Sequence, residues 1–85
     1  MADFTPYQDV ILLRNIPKEG LCAGDVGTIV DRHNVPGRET GYSVECFDML
    51  GNTVAVVTLP ASALRAPSRA DRPAVRSQPE PISTQ

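Results

Sequence analysis

The chain has 85 residues, a formal net charge of −2 and 41% hydrophobic residues, with two cysteines, one histidine and no tryptophan. At this length it holds one domain at most, and its apolar runs are too short to cross a bilayer. A core of this size leaves little stability to spend on a strained catalytic centre.

The acidic opening Met1-Ala2-Asp3 has no basic n-region, so no secretory signal is expected. Val10-Ile11-Leu12-Leu13 is a dense apolar run that fits a first strand buried on both sides. Asn15 to Asp25 follows as a long excursion punctuated by Pro17, Gly20 and Gly24. In Ala23-Gly24-Asp25-Val26-Gly27-Thr28-Ile29-Val30 a loop turns sharply into a β-branched run. Gly24 permits positive φ there, Asp25 closes a side-chain turn, and Gly27 permits a bulge or a close backbone approach. Val26 to His33 is the second strand.

Asn34 to Gly41, rich in breakers, is an exposed loop. Tyr42 to Asp48 alternates, with Tyr42, Val44 and Cys46 on one face and Ser43, Glu45 and Phe47 on the other. Leu50-Gly51-Asn52 turns the chain into a fourth strand, Thr53 to Leu59, with Val54 and Val56 in phase. Pro60 to Ala63 reads as one 3₁₀ turn and Leu64-Arg65 as a short closing strand. No helical period is long enough for a stable α-helix. This order is that of an all-β, five-stranded SH3-like barrel over residues 1–65, a layout in which closure removes most exposed edges.

Composition changes at Ala66. Residues 66–85 hold four of the eight prolines and read as a disordered or extended tail rich in Pro, Arg and Ser. Residues 1–65 set five basic residues against eight acids, a net −3, while the tail carries +1.

Asp9-Val10 with Leu12-Leu13, Ile16-Pro17-Lys18-Glu19-Gly20-Leu21, the Ala23–Val30 segment and Val56-Val57-Thr58-Leu59 occur in one order. Together they resemble the bacterial family known as domain of unknown function 4926, over about residues 8–65. The resemblance implies an SH3-like β-barrel in bacterial cytosolic proteins and assigns no activity. The Gly-Asp-x-Gly-Thr-Ile-Val turn alone is also similar to turns in KOW modules and nitrile hydratase-type subunits.

Each chemically interesting residue has a plainer reading. Asp25 as a catalytic carboxylate competes with Asp25 capping its own turn by accepting backbone N–H groups two residues on. Gly24 and Gly27 lack the Lys and Ser/Thr of a phosphate loop. His33, beside a Pro-Gly loop, has no neighbour in a triad spacing. Cys46 reads as a core thiol and Cys22 as the more reactive one. Both read as reduced, with neither a CxxC nor a His at ligand spacing, so no metal or other cofactor is expected.

Arg32, His33 and Arg38 surround the Asn34–Gly41 loop as a candidate basic patch, but Asp31 and Glu39 are interleaved with them. Net charge and the scarcity of aromatics argue against nucleic acid. With only Tyr7 and Tyr42 to line a groove, they argue against proline-peptide binding too. Phe47, Met49 and Leu50 form either an exposed interface spot or a mini-core under the tail. The reading that results is a non-enzymatic cytoplasmic module acting through a protein partner, a basic one by charge, as an accessory subunit or an antitoxin- or immunity-like protein. An RNA- or ribosome-associated KOW-like module and a structural homo-oligomer built on the Phe47–Leu50 tip are the alternatives.

Overall fold

The structure is a computed structural model that describes residues 3–77. Its five strands are β1 (Asp9–Leu12), β2 (Val26–His33), β3 (Gly41–Phe47), β4 (Thr53–Pro60) and β5 (Leu64–Arg65). They form one antiparallel sheet in the order β4-β3-β2-β1-β5. Among the described residues there is no α-helix, only 3₁₀ turns at Pro17–Glu19 and Ala61–Ala63. The all-β architecture, the succession of strands along the chain and the second 3₁₀ turn are those expected from the turn chemistry. Closure is not: β4 and β5, the two ends of the sheet, do not pair with each other.

The sheet curls around one apolar face. Val10, Leu12, Ile29, Tyr42, Val44, Cys46, Ala55 and Leu59 point into it, with Leu21, Ala61, Ala63 and Leu64 closing the ends. No polar or charged residue is buried among those described. Gly27 is essential to this packing. It stands opposite Cys46, and a Cβ there would collide with the Val44 side chain. The loop-to-strand turn thus ends in the close approach that its second glycine permits.

The phase of β4 is a finding in itself. Tyr42 faces Leu59, Val44 faces Val57 and Cys46 faces Ala55. Opposed residues share a face, so Ala55, Val57 and Leu59 turn inward and Val54 and Val56 outward. A register shift between Cys46 and Phe47 leaves Val54 as the extra residue of β4.

The open end of the sheet is plugged by the N-terminal segment. The Phe4 ring packs edge-on against Tyr42, with centroids 5.3 Å apart. The Tyr42 hydroxyl accepts from the Phe4 N–H and donates to Asp3. Tyr42 is fully buried, so it lines no surface groove.

The chain after β5 returns over the outer face. Arg65 makes a bidentate pair with Asp71 at 2.7 and 2.8 Å, which folds residues 66–71 back. Arg76 then makes a second bidentate pair, with Asp25, at 2.8 and 3.0 Å. Residues 78–85 of the expected tail lie outside the described residues.

Candidate functional site

The β3–β4 hairpin tip is built around Asp48. Its carboxylate accepts from the backbone N–H of Leu50 and of Asn52, both at 2.9 Å, and from the Asn52 side-chain amide. These bonds, those from Asn52 first, hold the Asp48 carboxyl below the usual carboxylate range. Gly51 takes φ +86°, which an L side chain rarely adopts. The turn has its hydrogen bonds made within itself, so the side chains between are left to solvent. Met49 is 83% exposed and Leu50 88%, with Phe47 at the base of the tip 45% exposed.

Phe47 continues into an open groove of about 1080 Å³ between the outer face of the sheet and the returning chain. Ile11, Val26 and Val54 form its floor and Pro73 and Val75 its wall, with the two Arg–Asp pairs at its rim. Ile11 is buried yet stands outside the main core, on the opposite face of β1 from Val10 and Leu12. Residues 67–76 lie over it. Of the floor residues only Ile11 is buried, with Val26, Val54 and the adjoining Phe47 about half exposed, while Met49 and Leu50 lie open to solvent. Phe47 borders the groove, and the tip beyond it is open.

Asp25 is a structural hub. It accepts from the Cys22 N–H at 2.9 Å, three residues back along the chain and not two residues on, and it receives Arg76. Gly24 beside it takes φ +96°. A carboxylate occupied by a backbone amide and a guanidinium has few acceptor sites left for chemistry.

Arg32, His33 and Arg38 are not brought together. Arg32 stands opposite Tyr42 and pairs with Asp3 at 3.2 Å. The adjacent His33 projects to the other face, where its Nε2 lies 2.8 Å from Ser43 Oγ. Arg38, in the Asn34–Thr40 loop, has no side-chain partner among the described residues. The loop and the hairpin tip sit at opposite ends of β3, roughly 20 Å apart at about 3.3 Å per residue.

The His33–Ser43 contact leaves no mark in the sequence, because it depends on the cross-strand register. Asp31 Oδ2 is 4.0 Å from the same ring nitrogen that meets Ser43. In a nucleophilic relay the carboxylate holds the opposite ring nitrogen, so this arrangement does not orient a base. Ser43 also contacts Thr58 Oγ1 at 3.2 Å, giving a row of polar side chains across three strands.

Both cysteines are free thiols, Cys22 half-buried and Cys46 buried. Burial, and secondarily the charge of Asp25, pushes the Cys46 thiol up, so it stays protonated and unreactive. Among the described residues no three His, Cys, Asp or Glu side chains gather to hold a metal ion, and no helix is long and apolar enough to cross a membrane.

The family model described as Domain of unknown function (DUF4926) matches residues 7–66. The chain belongs to that family of small domains. No curated protein and no solved structure matches it.

Proposed function

We propose that this chain is a non-enzymatic, SH3-like binding module of the bacterial cytoplasm that acts through a protein partner docked on the β3–β4 hairpin tip. One observation carries the reading: Met49 and Leu50 are held almost fully exposed by a turn already rigid through Asp48. Large apolar side chains displayed on an ordered loop make good anchors, because little conformational entropy is lost when they are buried. The surrounding acids, Asp48 in the tip and a net −3 over residues 1–65, favour a basic partner by steering and complementarity. An accessory subunit or an antitoxin- or immunity-like protein would work in this way.

The test is affinity capture with the full chain from its native host. A stoichiometric protein partner should be recovered by the wild type and lost with Met49→Lys/Leu50→Lys. It should persist with Arg38→Glu. Salt-dependent retention on RNA that Arg38→Glu abolishes would overturn the reading in favour of a nucleic-acid module.

A further inference from the structure

We propose that the open edge of β4 is a two-fold interface through which a second copy of this chain pairs antiparallel, extending the five-stranded sheet into a continuous ten-stranded one. The surface is distinct from the hairpin tip and uses none of its residues.

A five-stranded sheet that does not close has two edges. The β5 edge is only two residues long and runs straight into the Arg65–Asp71 clamp. The β4 edge is eight residues long, and no described residue pairs with its outer side. Such edges are usually blunted by a lysine, an inward charge, a central proline or a covering loop. Here the only proline is the last residue, Pro60, and the only irregularity is at Val54. The stretch from Ala55 to Pro60 is regular.

The occupant follows from charge and from shape. Met49 to Leu64 is the longest uncharged run in the sequence, within a domain that is otherwise acidic. Two copies of an acidic domain repel over most orientations, and a contact centred on this run avoids setting carboxylate against carboxylate.

A two-fold axis normal to the sheet keeps both inner faces on one side, so residues of like parity are opposed. Centred on Val57, within the regular stretch, it sets Ala55 against Leu59 and Val57 against its own copy on the inner face. On the outer face it sets Val56 against Thr58, twice. Small meets large inside, and β-branched meets β-branched outside, the pairings that sheets favour. Val56 is 57% exposed in the single chain and Thr58 is also exposed, so both have surface left to bury. Five paired residues per strand make a small interface against the usual ~1,200–2,000 Å², so the dimer is concentration-dependent.

The experiment measures the molar mass of the full chain by sedimentation from about 10 µM to about 1 mM, a span covering weak to moderate affinities. The wild type should move from monomer to dimer. Val56→Lys/Thr58→Lys places lysine directly opposite lysine at both outer pairs, and like charges so placed destabilise pairing. It should raise the dimer dissociation constant by ten-fold or more while the far-ultraviolet circular dichroism stays that of the wild type. Val56→Lys/Thr58→Glu instead sets the new lysine of each copy against the new glutamate of the other and should restore the dimer.

A wild type that stays monomeric throughout would overturn the proposal. So would a dimer that survives Val56→Lys/Thr58→Lys, one that the lysine–glutamate variant fails to restore, or one broken only by Leu50→Lys. Amide hydrogen exchange of the unmutated chain gives an independent reading. Alternate amides of β4 should gain protection as concentration rises, and protection independent of concentration would count equally against the second copy.

Discussion

On β3 the side chains of Tyr42, Val44 and Cys46 are buried, while Ser43, Glu45 and Phe47, each one residue further along the same strand, are half-buried or exposed. The inner face is a single apolar cluster closed by loop residues at both ends. The outer face is divided. Toward the Asn34–Thr40 loop it carries the polar row of His33, Ser43 and Thr58; toward the hairpin tip it is apolar and partly covered by the returning chain. Stability therefore resides on one side of the sheet and adaptable contact on the other. Contacts to the outer face rest on half-exposed ion pairs, which are individually weak.

The sharpest way to break the inner face is to hollow it. Leu12 is almost completely buried in β1, and Leu12→Ala should cost about 2–5 kcal/mol, read as a lower urea midpoint. That is a large share of the ~5–15 kcal/mol a native domain commonly has. Gly27→Ala tests the same face from the opposite direction, by crowding. The new Cβ meets the Val44 side chain, and overpacking of this kind costs about 1–3 kcal/mol. Combining it with Val44→Ala should give a total loss smaller than the sum of the two single losses. Simple additivity would show that the clash is relieved elsewhere.

How much of this was legible depends on whether the information was local. The Gly24-Asp25-Val26-Gly27 turn and the β-branched run behind it mark the start of β2, because φ preference and side-chain turns act over a few residues. The alternation in Tyr42–Phe47 separates two faces correctly. In Thr53–Leu59 both phases are apolar, so the pattern alone does not say whether Val54 and Val56 or Ala55, Val57 and Leu59 turn inward. Pairing with β3 decides it. The Asp25–Arg76 pair joins positions 51 apart, and no periodicity reports on it. Its one trace in the sequence is the run Val10-Ile11-Leu12-Leu13, which implies burial on both faces of β1 and so something lying over Ile11, although Leu13 falls outside the strand and is half exposed. The exposed tip was readable only as an alternative, since Phe47, Met49 and Leu50 fit a covered cluster equally well until the turn geometry is known.

The returning chain offers a gentler way to sharpen the contrast. Arg76→Ala removes the guanidinium from Asp25 and from the Gly20 carbonyl. Because the pair is partly solvated, the loss of stability should stay within about 1 kcal/mol. It should shrink further in ~1 M salt, where screening acts over only about 3 Å. The clearer signal is at Ile11, whose methyl resonances should move toward solvent-exposed values while those of Leu12 stay fixed. Equal changes at both residues would mean that the two faces are not separable.

Acid should act on the same cover, with the smallest effect. Arg65 first, and then the Ser68 N–H, hold the Asp71 carboxyl far below the usual carboxylate range. A carboxyl whose pKa is lower folded than unfolded stabilises the fold above its unfolded value of about 3.9. That contribution disappears as pH falls through the folded value, so the relevant window lies below about pH 4. Asp71→Asn should flatten this part of the stability-versus-pH curve and leave the curve above pH 4 parallel to the wild type. No carboxylate is buried in the inner face; Asp3, which accepts from the Tyr42 hydroxyl, is exposed. In acid, therefore, Ile11 should lose its cover before the Val10, Leu12 and Tyr42 cluster loosens, and simultaneous loss at all four positions would show that the clamp is part of the core and not a cover laid over it.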